Sequence, residues 1–468
     1  MVFSSLTFMY VYLPIVLGIY FLVPKKLRNP VMFVAGLLFY GWGEPIYLWI
    51  MVLSTLIDYT AGLVMNKFDD KPKIRTICLL ASVIMNVGLL AIFKYSGFFV
   101  RTLNSAFGLS LVVPNIPLPI GISFYTFQSM SYTIDLYMRN IKVQKNPVTF
   151  ATYVTLFPQI VAGPIVRYSD VENEINHRTI SVNMVGEGVA IFIKGLAKKV
   201  LLANNIGALW ATIKAQEISS LPAATAWLGI LAFTFQIYFD FSGYSDMAVG
   251  LGKMLGFNFP ENFNFPYVSK SVSEFWRRWH ITLGSWFRSY VYIPLGGNRK
   301  GLPRTLINLF ITWMLTGFWH GASWNFLVWG IYFGIIIILE RLFLGELLKK
   351  LPSFLQIAYS FILVVFGWVL FEFYEMSQVF AFFGAMFGAN GLGFADANTL
   401  YYLLSYIIVF ILCIFFASDK CKVIYEKIKE KFPKFTEYGI VIIAVILLLI
   451  CTAYLVDATF NPFIYFNF

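Results

Sequence analysis

The 468-residue sequence predicts an all-α membrane protein that crosses the lipid bilayer many times. Hydrophobic residues make up 59% of the chain and charged residues 13%, whereas soluble domains have roughly 45–50% and about 25%. The apolar residues form runs of about 20, the length that a helix needs to cross a hydrocarbon core. These runs lack the apolar–polar alternation of membrane β-barrels, so the spans are predicted to be helices.

Twelve apolar stretches are candidate spans, and we expect about 11 or 12 transmembrane or re-entrant helices. They cover residues 3–23, 30–43, 46–65, 76–95, 119–138, 148–165, 222–250, 305–319, 321–344, 354–374, 399–417 and 437–457. Pro158 interrupts the sixth stretch, and His320 and Gly321 separate the eighth from the ninth. Irregular backbone at membrane depth must be buried in protein or line a cavity, so these breaks indicate a central cavity, although kinked helices give the same pattern.

Two stretches are too polar to be spans. Residues 181–209 carry Lys194, Lys198 and Lys199 among apolar residues at helical spacing, which is typical of an amphipathic helix at the membrane interface. Residues 270–300 are dense in tryptophan, tyrosine and arginine, with glycines near their end. We interpret this second stretch as a horizontal helix and a re-entrant turn that line the cavity.

The C-terminal end predicts the orientation of the chain. Six lysines between Lys420 and Lys434 precede the last span, and no lysine or arginine follows it. Because basic residues are retained in the cytoplasm, residues 458–468 are expected outside it. Five aromatic residues between Phe460 and Phe468 make this tail apolar, and we expect it to insert into protein.

Several classes of function are disfavoured. The net charge of +11 indicates basic cytoplasmic loops and contact with anionic membrane lipids, and no basic run interleaved with aromatic residues indicates nucleic-acid binding. The four cysteines stand far apart, which argues against a disulfide framework or a metal cluster. The sequence has no Walker loop, His-Glu-x-x-His pair or Gly-x-Ser-x-Gly motif, so ATP hydrolysis, zinc proteolysis and serine hydrolase chemistry are disfavoured.

His320 is the strongest candidate for a catalytic residue. It lies between the apolar runs 306–315 and 326–339, where an imidazole is costly unless it meets a polar partner or a water-filled cavity. Trp319 and Trp324 flank it, and the resulting loss of water would favour a neutral imidazole that acts as a general base. A core histidine bonded to a backbone carbonyl is the structural alternative.

His280 follows a basic and aromatic segment. Arg277 and Arg278, flanked by Trp276 and Trp279, would bind the phosphates of an anionic cofactor, because a guanidinium group binds phosphate through two hydrogen bonds. Contact of these arginines with lipid headgroups at the membrane interface is an equally good interpretation.

Carboxylates within apolar spans need partners. We expect Asp240 to pair with an arginine such as Arg277, Arg278 or Arg288, for structural reasons or to shape the cavity. Asp246 does not share a helix face with Asp240, so paired acid–base catalysis is not expected. The other buried acids, whose partners the sequence does not identify, are Asp58 and Asp135. The third histidine, His177, lies on a polar stretch and is expected to be solvated.

The segments around the two histidines resemble those of the membrane-bound O-acyltransferases. Residues 275–283 read FWRRWHITL and residues 318–325 read FWHGASWN. They are similar, more narrowly, to the bacterial branch of alginate and peptidoglycan O-acetyltransferases and the teichoic-acid D-alanyl transferase. The resemblance runs through nearly the whole chain and includes residues 41–45, 157–167, 238–246 and 292–297.

The resemblance implies one membrane domain over residues 1–468, in which helices form a ring around a tunnel open to both sides of the bacterial cell membrane. It implies that His320 is catalytic and that His280 is its companion. It also implies that Tyr465, in the aromatic tail 458–468, carries the acyl group to an extracytoplasmic SGNH-type acyltransferase.

The residues and the resemblance together predict transfer of an acyl group, most simply acetyl, to a cell-envelope or exported polysaccharide. The donor is acetyl-CoA or another acyl thioester, including one on a carrier protein, and no resident cofactor or metal is expected. His320 takes the proton of the nucleophile, and His280, Asn325 or backbone N–H groups stabilise the oxyanion by about 3–4 kcal/mol. We expect four further residues to bind the donor, namely Arg277, Arg278, Trp276 and Trp279. Three others, Trp319, Trp324 and Asp240, are expected to support the tunnel.

Two other functions would use many of the same residues. A transporter of an anionic solute needs buried histidine, arginine and aspartate but has no need of Tyr465. A lipid O-acyltransferase needs His320 but acts directly on a membrane alcohol.

Overall fold

A computed structural model describes residues 1–161 and 163–457 of the chain. Helices dominate these residues, which contain no β-strand and only an isolated bridge between Phe263 and Trp279. The prediction of an all-α polytopic membrane protein is confirmed. Tyr465 and the rest of the tail 458–468 lie outside the described residues.

Seven helices within the described ranges are long and apolar enough to cross a membrane. They are Leu48–Lys67, Pro72–Phe107, Ala223–Met254, Trp324–Leu348, Ser353–Glu372, Ala397–Phe416 and Pro433–Asp457. Each of them coincides with a stretch that the sequence marked as a candidate span. Two apolar helices are shorter, Phe8–Leu22 and Met376–Met386.

The predicted interruption of the sixth stretch, 148–165, is confirmed. The helix Pro147–Thr155 has 9 residues and ends before Pro158. The residue that precedes a proline avoids helical backbone angles, and proline itself cannot donate the helical hydrogen bond, so the chain turns here.

The chain divides into two compact units, Met1–Phe192 with Tyr244–Pro260 and Ile193–Gly243 with Glu261–Phe468. In addition to Phe8–Leu22 and the two spans that begin at Leu48 and Pro72, the first unit contains helices that are shorter or more polar. They are Arg28–Gly43, Ile122–Tyr137, Pro147–Thr155 and Tyr168–His177.

A buried network of polar side chains joins three helices of the first unit. Asp58 accepts hydrogen bonds from Ser82 and, at 3.0 and 3.1 Å, from Asn86. The hydroxyl of Ser82 lies 2.8 Å from that of Thr133. Burying a carboxyl group is costly unless it is hydrogen-bonded, so these contacts supply partners for Asp58 that the sequence did not identify. The amide of Asn140 similarly lies 3.4 Å from Asp135.

The second unit contains the part of Ala223–Met254 up to Gly243, the spans that begin at Trp324, Ser353, Ala397 and Pro433, and the apolar helix Met376–Met386. It also contains a series of short helices. Apart from Val182–Ala197, which begins in the first unit, these are Lys198–Ala203, Asn204–Lys214, Val272–Arg278, Ile281–Phe287, Arg288–Tyr292, Gly301–His320 and Lys420–Lys431. The predicted horizontal helix in residues 270–300 is therefore a set of short helices. His280 breaks it, because its φ of 46° and ψ of 53° are left-handed and cannot continue a right-handed helix.

Two glycines allow the helix that ends at His320 to pack closely against the next span, Trp324–Leu348. A Cβ atom on Gly317 would lie 2.3 Å from the carbonyl oxygen of Phe326, and one on Gly330 would lie 2.5 Å from that of Trp313. Only residues without a side chain fit such a contact, which is a common way for membrane helices to approach each other.

Candidate active site

His320 is the last residue of the helix Gly301–His320, and its side chain is buried, with 3% of the residue exposed. The helix ends here because Gly321 is fully extended. A Cβ atom on Gly321 would lie 2.1 Å from the ring of Phe326, so the turn after the histidine also depends on a glycine.

Aromatic rings surround the imidazole of His320. Its ring centroid lies 5.0 Å from that of Trp329, 5.1 Å from that of Trp319 and 5.4 Å from that of Phe371. We expected Trp324 to flank the imidazole together with Trp319. Trp324 is instead 52% exposed, and Trp329, five residues further along, packs against His320.

The structure brings His280 to the same aromatic cluster. His280 is 2% exposed, and its ring contacts Phe241 at 4.8 Å between centroids. The ring of Trp319 lies 6.4 Å from His280 and 5.1 Å from His320, so one indole contacts both imidazoles. Burial lowers the pKa of His280 to about 3, which leaves this ring neutral at physiological pH.

The two arginines that precede His280 have different surroundings. Arg278 is paired with Glu274, with 2.7 Å between Nη2 and Oε1, and also donates to the backbone carbonyl of Asn264. Arg277 is exposed and lines a cavity of about 520 Å³. The other basic residues of this cavity are Lys270, Arg341 and Lys349.

Two acids also line this cavity, but both are engaged. Glu340 accepts hydrogen bonds from the backbone N–H groups of Val272 and Ser273, at 2.7 and 2.8 Å. Glu346 is paired with Lys349 at 2.6 Å. The cavity therefore presents an excess of positive charge, as a site for phosphate requires.

Trp276 and Trp279 pack into the aromatic core. The ring of Trp276 lies 4.9 Å from that of Trp313 and 5.3 Å from that of Trp329. Trp279 is buried and contacts Trp368 at 4.9 Å. Because Trp329 also contacts His320, Trp276 connects the segment of Arg277 to the wall of the histidine site.

Asn325, expected near the oxyanion, is completely buried and donates to two backbone carbonyls. Its Nδ2 atom lies 3.1 Å from the carbonyl oxygen of Leu370 and 3.4 Å from that of Phe371. These bonds fasten the start of the helix after His320 to the helix Ser353–Glu372, which carries the Phe371 wall.

The partner of Asp240 is a lysine, so the predicted pairing with an arginine is wrong. Lys199 Nζ lies 2.6 Å from Asp240 Oδ1, and both side chains are nearly completely buried. The sequence contained a signal for this partner. At 100° per residue, Lys199 lies about 140° around the helix from Lys194, away from the face that Lys194 and Lys198 share.

Among residues 1–161 and 163–457, no group of three or more histidine, cysteine, aspartate or glutamate side chains could hold a metal ion. The chemistry that the site's own residues can provide is proton transfer by imidazole and hydrogen bonding by indole and amide groups. His177, by contrast, ends a surface helix and is exposed.

Comparison with known proteins identifies a consistent set of relatives. The model of the MBOAT, or membrane-bound O-acyltransferase, family matches residues 138–373, which include both buried histidines. The probable alginate O-acetylase AlgI of Azotobacter vinelandii is 41% identical over 85% of this chain and 80% of its own length. The peptidoglycan O-acetyltransferase of Helicobacter pylori is 33% identical over 84% of this chain and 81% of its own. The teichoic acid D-alanyltransferase of Bacillus subtilis is 29% identical, over 55% and 68%.

Asp240→Asn should destabilise the protein by about 3–5 kcal/mol, because it removes the carboxylate that lies 2.6 Å from the buried ammonium of Lys199. The change is measured by denaturant unfolding of the purified protein in detergent. Glu346→Gln is the matched control, since it breaks an exposed pair worth about 0–1 kcal/mol. Equal, small effects of the two substitutions would contradict the structural role of the buried pair.

Proposed function

Because the chain belongs to the membrane-bound O-acyltransferase family and is an O-acyltransferase, we propose that it acetylates a cell-envelope or exported polysaccharide with His320 as the general base. The observation that carries this proposal is the burial of His320 beside His280, with Trp319 in contact with both, inside the segment that the family model matches. A transporter of an anionic solute has no support from these relatives, which are named as a probable O-acetylase, an O-acetyltransferase and a D-alanyltransferase.

The reaction needs a base for an unreactive hydroxyl group. The imidazole of His320 removes the hydroxyl proton while the oxygen attacks the thioester carbonyl, and a C–O bond forms. The C–S bond of the resulting tetrahedral intermediate then breaks, and the imidazolium returns its proton to the leaving thiolate. The aromatic wall of Trp319, Trp329 and Phe371 excludes water, which would otherwise compete as the acceptor.

The relatives favour acetyl over alanyl transfer. The probable alginate O-acetylase and the peptidoglycan O-acetyltransferase are similar over more than four fifths of the chain, whereas the B. subtilis D-alanyltransferase is similar over 55%. These names support a polysaccharide hydroxyl as the final acceptor.

The cavity of Arg277 is a suitable site for the phosphate end of the donor. Arg341 follows Trp329 by 12 residues on one helix, and at 1.5 Å per residue this is about 18 Å. An elongated donor would thus place its phosphates near Arg277 and Arg341 and its thioester near His320. Acetyl-CoA and an acyl carrier protein both fit this description, since each has phosphate at one end of a long thiol arm.

We propose that the C-terminal tail, residues 458–468, provides the first acceptor of the acyl group. We place the basic helix Lys420–Lys431 in the cytoplasm and residues 458–468 outside it, in line with the positive-inside rule. Tyr465 would enter a tunnel from that side, take the acyl group as an ester, and pass it to an SGNH-type acyltransferase. A phenol has a pKa of about 10, so it needs a base such as His320 to react at neutral pH.

His320→Ala should reduce acyl transfer by about 10²- to 10⁴-fold, the usual contribution of a general base, without preventing membrane insertion. The assay follows labelled acetyl groups from acetyl-CoA in liposomes that contain the purified protein. His177→Ala, which removes the exposed histidine, is the matched control. Normal transfer by His320→Ala would refute the assignment, and label found in lipid would indicate a lipid O-acyltransferase.

Arg277→Ala should raise KM for acetyl-CoA by about tenfold or more, because a hydrogen bond to a charged group contributes about 1.5–3 kcal/mol. The increase should become smaller at high salt, since the interaction with phosphate is screened. Lys350→Ala, an exposed cation outside the cavity, serves as the control. An unchanged KM would remove Arg277 from the donor site.

Tyr465→Phe should abolish both the acyl-protein intermediate and O-acylation of the polysaccharide, because it removes the hydroxyl and keeps the ring. The intermediate is measured as label bound to the protein after incubation with donor. Tyr454→Phe, on the exposed surface of the last helix, is the control. If Tyr465→Phe cells acylate their polysaccharide normally, the tail has no carrier role.

A further inference from the structure

Asn262 is a buried side chain that contacts His280 and that the sequence analysis did not single out. Its Oδ1 atom lies 3.1 Å from Nδ1 of His280. The same oxygen accepts a hydrogen bond from the hydroxyl of Thr282 at 2.8 Å and one from its backbone N–H at 3.3 Å. Three groups therefore converge on one oxygen.

The backbone N–H of Thr282 determines which atom of the Asn262 amide faces this cluster. A backbone N–H can only donate, so the atom opposite it must be the amide oxygen and not the NH2 group. Because Oδ1 can only accept, Nδ1 of His280 must carry a proton. A neutral imidazole has one N–H, so the lone pair is left on Nε2.

We propose that Asn262 is a positioning residue that holds His280 as the Nδ1–H tautomer, so that Nε2 accepts a hydrogen bond from a substrate O–H or N–H group. This inference rests on the proposed function only for the identity of the substrate. It makes His280 an acceptor, and the oxyanion donors must then be other groups of the site.

The backbone around His280 is held in the same way. The carbonyl of Asn262 accepts from the N–H of Ile281 at 3.0 Å, and the N–H of Asn264 donates to the carbonyl of Arg278 at 2.9 Å. These bonds flank His280 on both sides and maintain its left-handed conformation, which a residue with a side chain adopts only when its surroundings impose it. Both the ring and the backbone of His280 are therefore fixed by residues 262–264.

The neutral state that the proposal requires agrees with the burial of the ring. No water is needed to satisfy Nδ1, since Asn262 does so, and burial disfavours the imidazolium. The substrate groups that would meet Nε2 are the hydroxyl of the acceptor and the amide N–H groups in the arm of the thioester.

The tautomer is measured directly by ¹⁵N solid-state NMR of the histidine-labelled protein in liposomes. The chain has three histidines, so the signals of His280 are assigned by their loss in His280→Asn. We expect a protonated Nδ1 and an unprotonated Nε2 in the wild type and in Asn262→Asp, which keeps an acceptor oxygen. Asn262→Leu should yield a mixture or the opposite tautomer. A wild-type His280 with its proton on Nε2 would overturn the proposal, whatever reaction the protein catalyses.

The role of Nε2 is tested by two isosteric variants. His280→Asn keeps a hydrogen-bond donor near the position of Nδ1, whereas His280→Gln places its amide near the position of Nε2. His280→Asn should fold normally and lose about tenfold or more in kcat/KM, the equivalent of a lost hydrogen bond of about 1.4 kcal/mol, and His280→Gln should retain more activity. Full activity of His280→Asn would show that the contact with Asn262 is only structural. If His280→Asn raises KM only for the thioester, the hydrogen-bond donor to Nε2 is an N–H group of the thioester arm. If it raises KM only for the acceptor, the donor is the acceptor hydroxyl.

Discussion

The contact between Gly317 and Gly330 is the constraint on which the site depends. A Cβ atom at either position would overlap the backbone of the opposite helix, so the two helices approach each other only because both residues lack a side chain. His320 follows Gly317 by three residues and Trp329 precedes Gly330 by one, and the contact of their rings at 5.0 Å is a direct result of this approach. The bond from Asn325 to the carbonyls of Leu370 and Phe371 then adds the third helix and its aromatic wall.

Hydrophobic periodicity was sufficient to predict the helical membrane class and the positions of the long spans, because the bilayer demands helices of a certain length. It also located the break at His320 and Gly321. The same reasoning predicted that Pro158 interrupts residues 148–165, and the helix there ends at Thr155. It could not divide residues 270–300 correctly, because the left-handed conformation of His280 is imposed by distant hydrogen bonds and has no counterpart in the local sequence.

Pairings between side chains were much harder to predict than helices. Asp240 was expected to meet an arginine, but the helix phase of Lys199 brings that lysine inward instead. Arg277 and Arg278 are adjacent and chemically identical, and both lie about one helical turn from Glu274, yet it is Arg278 that pairs with this carboxylate. No feature of a single sequence relates residue 262 to residue 280. Such relations depend on which faces of the chain meet, and this is decided by packing across the whole unit.

The positive φ of His280 has a consequence for how this protein can change. Glycine adopts a φ of 46° without the steric conflict that a Cβ atom introduces, so the backbone at this position would relax if the imidazole were lost. At residue 280, a substitution that lowers the backbone strain therefore also removes the imidazole ring. A screen that rewards yield or thermal tolerance alone would therefore favour variants that lack this imidazole, and efforts to stabilise the protein have to begin at other positions.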